Sequence, residues 1–132
     1  MEPVWLKGAQ ARVKNLLRTF RQNEPGKETH SIYFICVTRS PGDDTPEGLY
    51  IGMTGKSPKE RLKQHLTGYK AAKIFKGPSP KGGVALTQLN AMVPKMSWED
   101  ASRFEQLALE AFRGEDKYRT IRRLPRDRVY GH

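Results

Sequence analysis

An α+β fold is predicted: a small central antiparallel sheet of three strands flanked by helices, with an added N-terminal amphipathic helix and a basic C-terminal segment. Three observations predict it. Ser31 to Thr38 (SIYFICVT) is rich in the β-branched and aromatic residues that strands favour. Leu49 to Met53 (LYIGM) is a second short apolar run, closed by a glycine. Ser57 and Ser97 each open a stretch with helical spacing, and each is followed three residues later by an acid suited to a capped first turn. A chain of 132 residues is one domain with room for a single core. Within it, residues 1–29 form a helix and linker packing on the core, 30–113 the core itself, and 114–132 a basic extension.

Taken in order, the first element is an amphipathic helix from Val4 to Gln22. Trp5, Leu6, Ala9, Val13, Leu16, Leu17 and Phe20 recur at spacings of three and four, with Arg12, Lys14, Arg18 and Arg21 between them. Asn23 to Thr29 (NEPGKET) is a breaker-rich linker. In the strand that follows, Ile32, Phe34 and Cys36 lie on one face and Tyr33, Ile35 and Val37 on the other. Both faces are apolar, so this strand is expected in the middle of the sheet. The polar turn Arg39 to Glu47 (RSPGDDTPE) then makes it an antiparallel hairpin with the Leu49–Met53 strand.

The next helix is bounded by Ser57 as N-cap, Pro58 at the first helical position, Glu60 completing the capping box, and Gly68 as terminator. Arg61 and His65 are four residues apart and share a face. Leu62 and Leu66 lie about 100° round the helix and are expected to anchor it, holding the Arg–His pair out beside the end of a strand. Tyr69 to Phe75 can continue as a short second helix, and Lys76 to Gly83 is a loop. Val84 to Val93 is read as the third strand, although its spacing fits a helix nearly as well.

From Ser97 a strong helix runs to about Arg113. Trp98, Ala101, Phe104, Leu107, Ala108, Ala111 and Phe112 form its apolar arc, and Glu105 falls inside that arc while Glu99 and Glu110 fall opposite. A carboxylate turned toward a core is costly unless it is paired or binds a metal. An ion pair with an arginine and a metal site are both open for Glu105. Beyond Gly114 the chain is basic and sparsely apolar, either a last short helix or an arm lying over nucleic acid.

The formal net charge of +10 implies polyanionic partners. Eight Lys/Arg against one acid lie between Thr54 and Lys81, around the Arg61/His65 helix, and seven against three lie between Arg113 and Arg128. That clustering favours nucleic acid over a merely solvated surface. Cys36 is the only cysteine, which excludes an internal disulfide and a cysteine zinc cluster and points to a buried, inert thiol. No apolar stretch approaches a membrane span, and the N-terminus lacks the layout of a signal peptide, so a cytoplasmic setting is expected.

The order of these residues is similar to a known pattern. A strand with Ile32-Tyr33, a loop, a strand with Tyr50-Ile51-Gly52, a helix with Arg61-x-x-x-His65 and a later helical Glu105 together resemble the GIY-YIG nuclease superfamily, over roughly Ser31 to Arg113. Ser31 stands where the first motif has glycine. No asparagine follows Glu105, where the family often carries one, and the linker between the two motifs is longer than usual.

The resemblance implies a metal-dependent endonuclease. Glu105 would be the sole protein ligand of one Mg²⁺ or Mn²⁺, and Arg61 would clamp the phosphate oxygens. Tyr33 would take the proton of the attacking water, with His65 relaying it and Tyr50 orienting water or phosphate. A free tyrosine is ionised only about one time in a thousand at pH 7, so Tyr33 needs Arg61, His65 and a metal charge beside it to serve as base. Lys56, Lys59, Lys63, Lys70 and Lys73 flank the site as phosphate contacts. DNA is the expected substrate, ahead of RNA, for a restriction-type, repair or toxin nuclease. A toxin would work in a target cell and imply an acidic inhibitor. The competing reading is a catalytically silent nucleic-acid-binding module of the same fold.

Overall fold

The computed structural model describes residues 2–68, 70–114 and 121–131. In chain order these form α1 (Leu6–Thr19), β1 (Ser31–Thr38), β2 (Pro46–Thr54), α2 (Pro58–Thr67), β3 (Gly82–Ala85), α3 (Thr87–Asn90), α4 (Trp98–Phe112) and β4 (Val129–Tyr130), with short 3-10 turns at Lys73–Phe75 and Arg126–Arg128. The class is α+β. The sheet has four strands in the order β3-β1-β2-β4. It is mixed rather than purely antiparallel: β1 is antiparallel to β2 and to β3, while β4 is parallel to β2.

β1 sits inside the sheet, as its two apolar faces require, and all eight of its residues are buried. Its two faces feed separate clusters. Ile32, Phe34 and Cys36 join the main core with Trp5, Leu6, Ala9, Val13 and Leu16 of the N-terminal segment and with Ala101, Phe104, Ala108 and Phe112 of α4. Tyr33, Ile35 and Val37 join Tyr50, Ala71 and Phe75 in a smaller cluster. Cys36 is buried as expected, and burial pushes its thiol up to about 11.

Three expectations are corrected. The predicted strand Val84–Val93 is only partly strand. β3 ends at Ala85 and the chain turns into α3, because other groups continue the ladder: Leu86 N–H donates to the Phe34 carbonyl (3.0 Å), and Phe34 N–H donates to Asn90 Oδ1 (2.6 Å). Where it is described, the C-terminal stretch forms a 3-10 turn and a short strand rather than an α-helix. Ile121, Leu124 and Val129 are core residues, and β4 pairs Leu49 with Val129 and Tyr50 with Tyr130. Arg113 fastens it by donating from Nε and a terminal nitrogen to the Val129 carbonyl. Tyr118, in the middle of that stretch, lies outside the described residues, as does Tyr69 at the start of the suggested second helix. The rest of that helix is the 3-10 turn at Lys73–Phe75.

The third correction concerns rotation of α2. The caps are as read: Glu60 N–H donates to Ser57 Oγ (3.1 Å), and Gly68 closes the helix at φ 90°. The buried residue of α2, however, is His65, at 0% exposure, while Leu66 is 45% exposed and Leu62 only half-buried. On α4, Trp98 likewise points out at 59% exposure. Neither position answers to hydrophobicity alone. His65 is held inward by hydrogen bonds to both ring nitrogens.

Candidate active site

Register brings the two tyrosines together. Tyr33 is opposite Gly52 and Ile35 opposite Tyr50, so both phenols project from the same face as diagonal neighbours. Their ring centroids are 6.0 Å apart and 27° from parallel. Gly52 makes this possible. A Cβ there would lie 2.4 Å from Tyr33 Cζ and Oη, so the phenol rests on bare backbone.

α2 packs over this face and inserts His65. Its imidazole centroid is 5.9 Å from Tyr33, 5.2 Å from Tyr50 and 5.0 Å from Phe75. His65 Nε2 and Tyr33 Oη are hydrogen-bonded at 2.9 Å, and Ala72 N–H donates to His65 Nδ1 at 2.9 Å. Arg61, one turn earlier, donates to the Lys70 carbonyl (2.8 Å) and to Gln64 Oε1 (3.2 Å). Lys70 has a left-handed backbone, φ 46°, which places that carbonyl under the guanidinium.

Burial dominates the electrostatics. It raises the Tyr33 hydroxyl well above the ordinary phenol range, helped by neighbouring Tyr50 and opposed by the Arg61 charge. Burial also raises Tyr50. A hydrogen bond with Tyr33 and the charge of Arg61 act downward on it, and the negative charge of Glu105 acts upward. Glu105 on α4 is buried at 4% exposure, its Oε2 has no hydrogen-bond partner, and burial raises its carboxyl. A buried carboxylate oxygen without a donor is where a hard cation fits the available chemistry. Among the described residues no three metal-ligating side chains cluster, so an ion held at Glu105 would have this one carboxylate as its protein ligand.

Tyr33, Tyr50, His65 and Arg61 thus form one assembly, and Glu105 is near enough for its charge to be felt at Tyr50. Lys56, Lys59, Lys63, Lys70 and Lys73 are exposed on α2 and the segments beside it. Gly52, Ala72 and Phe75 belong to the site and were not anticipated. Only Gly52 carries a sequence signal, a glycine inside a strand marking close approach. A main-chain donor such as Ala72 leaves no trace in residue type. No family model matches the chain, and no characterised protein or solved structure matches it either.

Proposed function

We propose that the protein is a metal-dependent endonuclease of GIY-YIG type acting on DNA. The observation that carries this reading is the convergence of Tyr33, Tyr50, His65 and Arg61, with a buried, partnerless Glu105 oxygen whose carboxylate charge reaches Tyr50. Phosphodiester hydrolysis needs a positioned water, neutralisation of charge on the phosphate, and help for the leaving oxygen. Arg61 leaves the Lys70 carbonyl to donate a bidentate pair to the phosphate. Tyr33 and Tyr50 orient the water, and Tyr33 receives its proton once added positive charge makes phenolate accessible. Glu105 would hold one Mg²⁺ or Mn²⁺, which when bound supplies positive charge beside the phosphate and the attacking water. The exposed lysines contact the flanking backbone, giving affinity without sequence reading.

A second reading has its own support. The complete burial of both phenols and the upward shift of Tyr33 suit a silent module that keeps the fold and binds through its lysines. Plasmid nicking with Mg²⁺ separates the two. Loss of nicking in Glu105→Ala and Tyr33→Phe, with DNA binding retained, selects the nuclease. Binding without metal and no nicking by the native protein selects the module.

A further inference from the structure

The Tyr33–His65 pair is a hydrogen bond between two groups that can each donate or accept, so its direction has to be set by something else. The backbone N–H of Ala72 sets it. A peptide N–H is a donor only, and it points at His65 Nδ1 from 2.9 Å. Nδ1 therefore presents a lone pair, and in the neutral ring the single proton sits on Nε2, the atom 2.9 Å from Tyr33 Oη.

We propose that the Ala72 amide is a positioning group for this site: by occupying His65 Nδ1 it fixes the Nε2–H tautomer, so the imidazole donates to the Tyr33 oxygen and is closed to the phenolic proton. The functional consequence rests on the nuclease reading above; the tautomer does not. It revises the sequence expectation that His65 relays the proton of Tyr33. A relay would require Nδ1 to carry a proton against the Ala72 N–H, with His65 buried at 0% exposure.

The same polarity continues outward. With His65 Nε2–H donating to its oxygen, Tyr33 keeps its own O–H for a partner on another side, and the Tyr50 ring stands 6.0 Å away on the same face. Ala72 N–H to His65 and His65 N–H to Tyr33 then run head to tail, an order in which each bond polarises the next. The Tyr33 proton therefore has to leave on a side away from His65, whose N–H steadies the oxygen left behind.

Ala72 offers a test. Its φ of −62° and ψ of 151° suit proline, which removes the N–H but sets its Cδ where that N–H pointed, so the His65 ring must also shift. The first measurement uses the native protein: long-range ¹H–¹⁵N correlation of the His65 ring at pH 7, without metal or DNA. A single proton on Nε2 is expected. A proton on Nδ1, or on both nitrogens, overturns the proposal whatever the proline variant does. Ala72→Pro is expected to move part of the population to Nδ1–H. It should slow Mg²⁺-dependent nicking by about 10- to 100-fold, the usual cost of losing a group that orients a site residue, with DNA affinity unchanged. A folded Ala72→Pro protein that keeps the native tautomer and the full nicking rate also overturns it. Absence of nicking by the native protein would instead defeat the nuclease reading, and the ring spectrum would still decide the tautomer.

Discussion

The first turn and the middle of α4 each bury a carboxylate, and the two are opposites. Asp100, at 0% exposure, receives the backbone N–H groups of Asn23 and Glu24, both at 3.0 Å, and an Arg103 nitrogen at 2.8 Å. Burial alone would raise its carboxyl, but these hydrogen bonds outweigh burial and hold it at about 2. Glu105, five residues on, has a buried oxygen with no donor and is shifted upward by burial. The helix therefore carries one acid whose bonds are complete within the fold and one whose bonds are left incomplete. Incomplete satisfaction of a buried charge costs stability, and such groups concentrate where chemistry is done.

The sharpest way to break this comparison is to delete each acid. On the nuclease reading, Glu105→Ala should reduce Mg²⁺-dependent nicking by about 100-fold or more while leaving the melting temperature unchanged or higher. Asp100→Ala should do the reverse, lowering the melting temperature because three donors lose their acceptor. Matching thermal losses in the two variants would erase the distinction. Next in size is Gly52→Ala, whose methyl collides with the Tyr33 phenol. Overpacking of this kind should cost about 1–3 kcal/mol in chemical denaturation and suppress nicking as well.

Acid titration of stability sharpens the contrast further. Asp100 is lowered from an ordinary 3.8 to about 2, so its contribution is full above pH 3.8 and lost as pH falls through about 2. Glu105 is raised, so its cost is full above its folded value and relieved as pH falls toward the ordinary 4.5. Melting curves against pH should show Asp100→Asn flattening the decline at the acid end and Glu105→Gln removing the penalty at neutral pH. The smallest effects belong to the surface. Lys59→Ala and Lys63→Ala should each reduce the salt dependence of DNA binding by about one unit of slope. Leu66→Ser should change stability by no more than about 0.5 kcal/mol, since that side chain is 45% exposed and joins neither apolar cluster.

How far the sequence could be read depended on the range of the interaction. The boundaries of α2 were legible because caps are local: Ser57, Pro58, Glu60 and Gly68 lie within the helix or at its ends. Its rotation was not legible. Leu62 and Leu66 read as the anchor; Leu62 does pack on the smaller cluster, but Leu66 does not, and the buried imidazole beside it depends on Tyr33 and Ala72, which the helix itself does not contain. The inward turn of Glu105 was legible from helical period, and its lack of a partner was not. The pairing of Tyr33 with Tyr50 needed a register that alternation alone leaves open by two residues in either direction. β4 had no signal, being two residues long and bound by the Arg113 side chain and the flank of β2.

That outer strand also bears on the order of assembly. β1 and β2 face each other across a short turn, whereas Leu49 and Val129 meet across about eighty residues, a closure paid for by only two paired positions. The hairpin should therefore condense early and β4 dock late. In hydrogen exchange, the amides of Val129 and Tyr130 should open well before those of β1. The flank of β2 would then be briefly bared while the rest of the sheet stays intact.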